Sequence, residues 1–303
     1  NECPDICNAI RDFKDQIQRD PELYQKIRIK YKTKNTVGYA VNAFIDFEHP
    51  LDILAHLLVG AEGTLGFIAE AVLNTVPDHP EKSTALLYFN NIFDACSAIV
   101  PLTESGAEAV ELMDRSSLRS VEHIHGIPGV IKHLPDTAAA LLIEYQADTK
   151  EVLRQKTDAF LALSPDITLM SPPDFTADPV AQAFLWKIRK GMFPAVSAVR
   201  ASGTTVILED IAVPVEHLGH AISDLQLLFK KHGYLNAIIF GHAKDGNIHF
   251  VVTQAFDTDD EISRYDFFLR DVIALVVSKY NGALKAEHGT GRNMAPFVEA
   301  DWG

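Results

Sequence analysis

Cysteine is scarce: Cys3, Cys7 and Cys96 are the only thiols in 303 residues. An odd, sparse count argues against a disulfide scaffold and fits a reducing, cytoplasmic setting. Long apolar runs are also lacking, and none reaches the ~18 residues of a transmembrane helix. The polar, acidic N-terminus reads as no secretory signal. Positive charge is short, with 27 Lys and Arg against 41 Asp and Glu, a formal net charge of −14. Such a field excludes general affinity for nucleic acid or an anionic membrane surface. An anionic substrate would need local positive charge. The sequence shows no internal repeat and no low-complexity tract.

What remains is an ordinary globular composition, 47% hydrophobic and 22% charged, long enough for two domains. Residues 1–34 carry weak amphipathic spacing and a basic run, Lys26, Arg28, Lys30, Lys32 and Lys34, which reads as a solvated face. Leu51 to Val59 reads as a short helix. Pro77 to Lys82 is a polar break and a domain boundary. Beyond it the pattern predicts strands over 83–89, 107–112, 138–146 and 204–213. Helices are predicted over 92–105, 116–122, 150–163, 178–191, 215–232 and 259–280, the last ended by Asn281-Gly282. The order suggests an α+β sandwich, helices on an antiparallel sheet, with one split βαβ half following another.

The most informative stretch is Gly241-His242-Ala243-Lys244-Asp245-Gly246-Asn247-Ile248-His249. Apolar, β-branched runs flank Asp245-Gly246, a strong two-residue hairpin signal. With that loop, His242 stands opposite His249 on one face, Cβ atoms ~5 Å apart. Two imidazoles so placed can share a metal ion at ~2.1 Å. Two half-buried histidines without a metal is the competing reading. A third ligand must come from elsewhere, and Glu287-His288-Gly289 is the best candidate. Asp245 and Asn247 read as turn residues.

Gly60-Ala61-Glu62-Gly63-Thr64-Leu65-Gly66-Phe67-Ile68 is the second such stretch. Glycine at every third position lets a backbone pass close to a ligand or another chain segment. The run then reads as strand-like through Val76. Gly289-Thr290-Gly291 is not a dinucleotide fingerprint, because no strand-turn-helix of a βαβ unit contains it.

Four segments, Asn35 to Tyr39, Gly60 to Ile68, Gly241 to His249 and Glu287 to Arg292, carry a resemblance in their order. Glu111 to Arg115, Trp186 to Gly191 and Asp210 to Pro214 add weaker matches. The chain resembles the FAD-linked oxidases of the vanillyl-alcohol oxidase/para-cresol methylhydroxylase (PCMH) type, and within them the D-2-hydroxy-acid dehydrogenases acting on D-lactate or D-2-hydroxyglutarate. The resemblance implies the C-terminal part of a PCMH-type FAD-binding domain over 1–80. A ferredoxin-like cap, or substrate, domain with an antiparallel sheet would follow over 81–285, and a loop over 286–303 would return to the site. The family's glycine-rich pyrophosphate loop is missing. The chain is therefore expected to be a fragment, inactive alone, without tight flavin binding and with exposed surface that invites homodimerisation. The spacing of the first two segments is similar to that of large multidomain members, which continue into an iron–sulfur region, a candidate electron acceptor.

The same resemblance implies site roles. His242, His249 and Glu287 would bind a divalent metal, zinc or manganese, leaving positions open for substrate. A 2-hydroxy acid would chelate it through hydroxyl and carboxylate, and its hydroxyl pKa would fall. His288 would be the general base, and Arg189 the clamp on substrate carboxylate. The C2 hydride would pass to FAD, held in part by Asn35, Gly38, Gly60, Glu62, Gly63, Thr64, Gly66 and Ile68. Glu111 and Asp114 read as cap-domain polar contacts. Three positions depart from the family: Lys244 for glycine, Val251 for a substrate-touching asparagine, and Leu208 for a lysine found in some members. The last two leave the acid's identity open. Two other readings compete. A metal-dependent hydrolase would have no use for the Asn35–Tyr39 and Gly60–Ile68 motifs. A non-catalytic binding module would bind no stoichiometric metal.

Overall fold

Strand residues alternate between two buried faces, and this alternation sets the architecture of the computed structural model, which describes residues 3–303. The strands are β1 (Glu81–Phe89), β2 (Ala109–Asp114), β3 (Ala139–Ala147), β4 (Thr205–Ala212), β5 (Ile238–His242) and β6 (Asn247–Gln254). They form one six-stranded sheet in the order β1-β3-β2-β5-β6-β4, with every pairing antiparallel. Each half is a strand, a helical stretch, an antiparallel strand pair and a helix, and the halves join where β2 meets β5. The repeat is structural, as two apolar faces of period two can be built from unrelated residues. The α+β sandwich expected from sequence is what forms.

One face carries Leu87, Phe89, Leu141, Ile143, Leu112, Ile239, Phe250 and Val252. It packs on the helices Lys150–Leu163, Leu218–Lys231 and Asp259–Ile273. A Thr258/Glu261 capping box starts the last of these, satisfying otherwise orphaned N–H groups. That helix widens into a π-helical stretch, Ala274–Lys279, and ends at Asn281, whose φ is +49°.

The other face carries Met113, Ala140, Leu142, Ile238, Phe240 and Val251, under Ile188, Met192 and Val196 from the helices Pro179–Lys190 and Met192–Val199. At one end it turns polar: Glu111 and His242 pair across the β2–β5 seam, and Asp210 and His249 across β4–β6. Each fully buried large apolar side chain beside them contributes about 1.5–3 kcal/mol, which offsets desolvating these charges. Leu208 and Val251 face each other on this side.

The hairpin register differs from the sequence expectation. Phe240, not His242, stands opposite His249. The turn is a short 3-10 stretch, Ala243–Asp245, closed by Gly246 in the left-handed region at φ +64°. A Cβ on Gly246 would meet the Val213 carbonyl oxygen at 1.9 Å, and one on Gly241 the Asn247 carbonyl oxygen at 2.3 Å. These backbone approaches, invisible locally, select the longer turn. The slip is two residues, so parity is kept and both histidines remain on one face.

Residues 3–80 hold the helices Pro4–Arg19, Pro21–Lys30, Ala43–Asp46 and Pro50–Leu57 and no strand. The stretch expected to be strand-like through Val76 forms no strand, and Phe67 and Val72 are exposed. A strand needs a ladder partner, and none reaches it among the described residues. The basic run is also not a uniform solvated face. Lys30 is buried against Asp301 and the Gly282 carbonyl, and Lys34 turns inward as well. Among the described residues, no helix is long and apolar enough to cross a membrane.

Candidate functional site

The site forms where the segment after Gly282 runs back along β4. Ala212 and Ala283 exchange backbone hydrogen bonds, and the Thr36 amide donates to the Lys285 carbonyl at 2.8 Å. Two consecutive β4 residues then grip the returning chain from opposite faces. Glu209 takes the Lys285 ammonium at 2.8 Å and the Asn293 amide at 2.9 Å. Asp210 Oδ2 accepts three successive backbone N–H groups, from Ala286, Glu287 and His288, at 3.1, 2.6 and 2.7 Å. Asp210 Oδ1 accepts from the Asn247 side chain at 2.7 Å. Asn247 is thus more than a turn residue; it is buried and braces the site.

This arrangement brings the predicted metal ligands together. Glu287 Oε1 lies 3.1 Å from His242 Nε2 and 3.4 Å from His249 Nε2. The two imidazole planes are perpendicular, with ring centroids 5.4 Å apart. His288 stacks on His249 at 5.0 Å, its Nε2 3.8 Å from Glu287 Oε1. Asp210, His249, Glu287 and His288 offer atoms within 4.8 Å of one another. In that group Asp210 is already committed to backbone donors, whereas His242, outside it, aims a free Nε2 at Glu287. We therefore count His242 rather than Asp210 among the inward-facing donors.

The outward sides of the ligands also have partners. His242 Nδ1 is 2.7 Å from Glu111 Oε1, and His249 Nδ1 is 3.3 Å from Asp210 Oδ1. Glu287 Oε2 meets Lys34 Nζ at 3.2 Å, and Lys34 also pairs with Asp245 at 2.8 Å. The bond to Glu111 raises the His242 pKa against the pull of burial. Burial would raise the Asp210 pKa, but His249, the Glu287 amide and Asn247 outweigh it and hold it at about 2. Burial lowers the Lys34 pKa, but its two carboxylate partners leave it raised overall.

Arg189, expected as a substrate clamp, is buried and bound to Glu111 Oε2 through Nε at 3.0 Å and a terminal nitrogen at 2.9 Å. Its guanidinium lies 4.5 Å over the Phe240 ring. Burial lowers its pKa. Three residues of the site were not picked out from sequence as such: Glu111, Asp210 and Lys34. Glu111 and Asp210 stand in the weaker matching segments, which was the available signal. Lys34 had none, since a lysine in a basic run reads as solvated.

Part of the predicted cofactor-binding set lies beside this site. The Gly38 amide donates to Thr290 Oγ1 at 2.8 Å, the Gly289 amide to Thr36 Oγ1 at 3.0 Å, and the Gly291 amide to the Glu62 carboxylate at 3.1 Å. Tyr39 and Thr64 join hydroxyls at 3.0 Å. Gly38, Tyr39, Gly60, Glu62, Thr64 and Thr290 border a mainly apolar groove of about 490 Å³. Gly60 and Gly63 have φ near +80° with nothing a Cβ would strike, so conformation rather than space requires glycine there. Glu62 is also left-handed, at φ +53°, a strained state that its bonds to Gly291 help hold. Asn35 is buried and accepts from the Val37 amide at 2.8 Å. Gly63, Gly66 and Ile68 are exposed and do not border the groove.

This chain is similar to several known proteins. It is 28% identical over 249 residues to the glycolate oxidase subunit GlcD of Bacillus subtilis, covering 81% of this chain and 50% of that one. It is 28% identical over 260 residues to the mitochondrial D-lactate dehydrogenase [cytochrome] of Arabidopsis thaliana, covering 82% of this chain and 42% of that one. To the mitochondrial D-2-hydroxyglutarate dehydrogenase of the same plant it is 26% identical over 242 residues, covering 78% and 41%. The chain thus spans half or less of the length of these relatives. Among solved structures, an alkyldihydroxyacetonephosphate synthase superposes with a TM-score of 0.56 at 15% identity, covering 82% of this chain and 49% of that one, a likeness of fold alone. Residues 78–303, containing the whole sheet and the histidine–glutamate cluster, match the family described as FAD linked oxidases, C-terminal domain, and the chain belongs to that family.

Proposed function

We propose that this chain forms the substrate side of an FAD-dependent oxidoreductase that converts a D-2-hydroxy acid to the 2-oxo acid, with a zinc- or manganese-type cation held by His242, His249 and Glu287. One observation carries the reading: two imidazole Nε2 atoms converge on a single carboxylate oxygen, at 3.1 and 3.4 Å. Two neutral nitrogens and one oxygen are a donor set suited to such a cation with positions left for substrate. The donors fit, because both histidines have a carboxylate beside Nδ1 and Glu287 keeps only Oε1 turned inward. When bound, flavin accepts the C2 hydrogen with its electron pair, and the cation acidifies the substrate hydroxyl.

The chain's own residues do the rest. His288, half-exposed and stacked on His249, would take the hydroxyl proton at its imidazole. Arg189 and Lys34 supply positive charge against the net field of −14, which an anionic substrate requires. Arg189 is committed to Glu111, so it would meet substrate carboxylate as a shared partner rather than a free fork. Leu208, partly buried, and Val251, fully buried, are apolar on the site's face of the sheet and offer no polar anchor there. Their chemistry favours D-lactate over an acid needing a second polar anchor. The groove beside Gly38, Gly60, Glu62 and Thr64 would take part of the flavin.

The test is elemental analysis of the purified protein after exposure to zinc or manganese, beside the His242→Ala/His249→Ala variant. About one metal per wild-type chain is expected, and none in the variant. A folded wild type that takes up neither ion refutes the cation reading.

A further inference from the structure

A histidine can offer Nε2 to a cation only if its neutral proton sits on Nδ1, and the sequence gives no sign of which nitrogen carries it. At His242 the neighbours decide. An ionised carboxylate can only accept a hydrogen bond. Glu111 Oε1, hydrogen-bonded to His242 Nδ1 at 2.7 Å, calls for the proton there and outweighs the longer 3.1 Å approach of Nε2 to Glu287. His249 has no such choice made for it: Nδ1 lies 3.3 Å from Asp210 without a hydrogen bond, and Nε2 lies 3.4 Å from Glu287. Both carboxylates are buried and held from behind: Glu111 by Arg189, Asp210 by Asn247 and the three backbone amides of 286–288.

We propose that Glu111 and Asp210 are positioning residues: Glu111 fixes His242 with Nδ1 protonated and Nε2 turned inward, and Asp210 places the backbone of 286–288, so that the site is pre-formed for a cation. Asp210 does more than Glu111. By taking the amides of Glu287 and His288 on the same carboxylate, it sets ligand and base from one side chain. The strand residue that pairs with His249 thus also fixes where the distant chain segment lands. The inference builds on the cation reading above, but the proton's location can be measured without any metal.

The experiment uses the full chain, labelled with ¹⁵N. Long-range ¹H–¹⁵N spectra of the metal-free protein, taken above the pH at which the histidine signals stop moving, report the tautomer of each histidine. His242→Gln and His249→Gln variants assign the signals. His242 is expected as the Nδ1–H form; the Nε2–H form there in the wild type overturns the proposal for Glu111. Glu111→Gln and Asp210→Asn are the informative variants. In Glu111→Gln the amide oxygen must face Arg189, so its NH2 meets His242 and drives the proton to Nε2. In Asp210→Asn an oxygen kept toward the three backbone amides turns the NH2 against the Asn247 side-chain NH2, so the grip on 286–288 is weakened. Zinc affinity, read by calorimetry, should fall about 10- to 100-fold in each. An unchanged His242 tautomer in Glu111→Gln, or a zinc Kd within about twofold of wild type in either variant at equal thermal stability, would overturn it for that residue. Should the wild type bind no zinc, the cation reading falls alone, and the wild-type His242 tautomer still decides the inference for Glu111.

Discussion

Replacing Arg189 by Met separates a substrate clamp from a structural counter-charge. Methionine keeps the length and apolar contact over Phe240 while removing the guanidinium that holds Glu111. Both partners are buried, Arg189 at 8% and Glu111 at 6% exposure. Removing one member of a buried pair leaves an uncompensated charge and costs about 3–5 kcal/mol. Glu111 has one other partner, His242 Nδ1 at 2.7 Å. Arg189 opposes protonation of that imidazole, so its loss raises the His242 pKa further above its unfolded value. A pKa raised in the folded state contributes stability that is fully present below the unfolded value and is lost as pH rises through the folded one. Each unit of additional rise returns about 1.4 kcal/mol on the acid side. Arg189→Met should therefore lose about 3–5 kcal/mol at about pH 8 and measurably less at about pH 5.5. Urea unfolding at the two pH values reads this directly. A loss below about 1 kcal/mol at the higher pH, the range of an exposed ion pair, would refute the buried counter-charge, and so would equal losses at both.

Two further outcomes follow from buried charges away from the site. Lys30 and Asp301 pair in the interior, with Asp301 also accepting the Leu284 amide at 3.0 Å. Lys30→Met should cost about 3–5 kcal/mol in urea unfolding, and adding Asp301→Asn, which keeps the bond to Leu284, should recover most of it; a lack of recovery would refute the pairing as the cause. Burial raises the Asp114 pKa despite its bonds from the Ser117 and Ile239 amides. Because the folded value lies above the unfolded one, stability should decline as pH rises from about 4 through the raised value. Asp114→Asn keeps an acceptor for both amides and should raise the unfolding midpoint at neutral pH by about 2–4 °C; a lower midpoint would show that the ionised form is the stabilising one.

The sequence by itself determined the strand and helix order after residue 80, because period-two and period-3.6 apolar patterns report faces that burial then selects. It also singled out residues that the fold brings together: both histidines of the hairpin and Glu287 meet, and parts of the Gly60–Thr64 and Asn35–Tyr39 stretches lie beside them. Tertiary structure alone decided the rest. The hairpin register followed from the close approaches at Gly241 and Gly246, which no local turn preference contains. The unpaired run through Val76 shows the converse, since strand propensity without a ladder partner gives no strand. Lys30 and Lys34 look alike in sequence to Lys26 and Lys32, and only their placement against Asp301 and Glu287 sets them apart. Glu111 and Asp210 acquired their roles by lying across the sheet from His242 and His249. Those pairings join residues 131 and 39 positions apart, where electrostatics depends on distance in space and leaves no mark on sequence spacing.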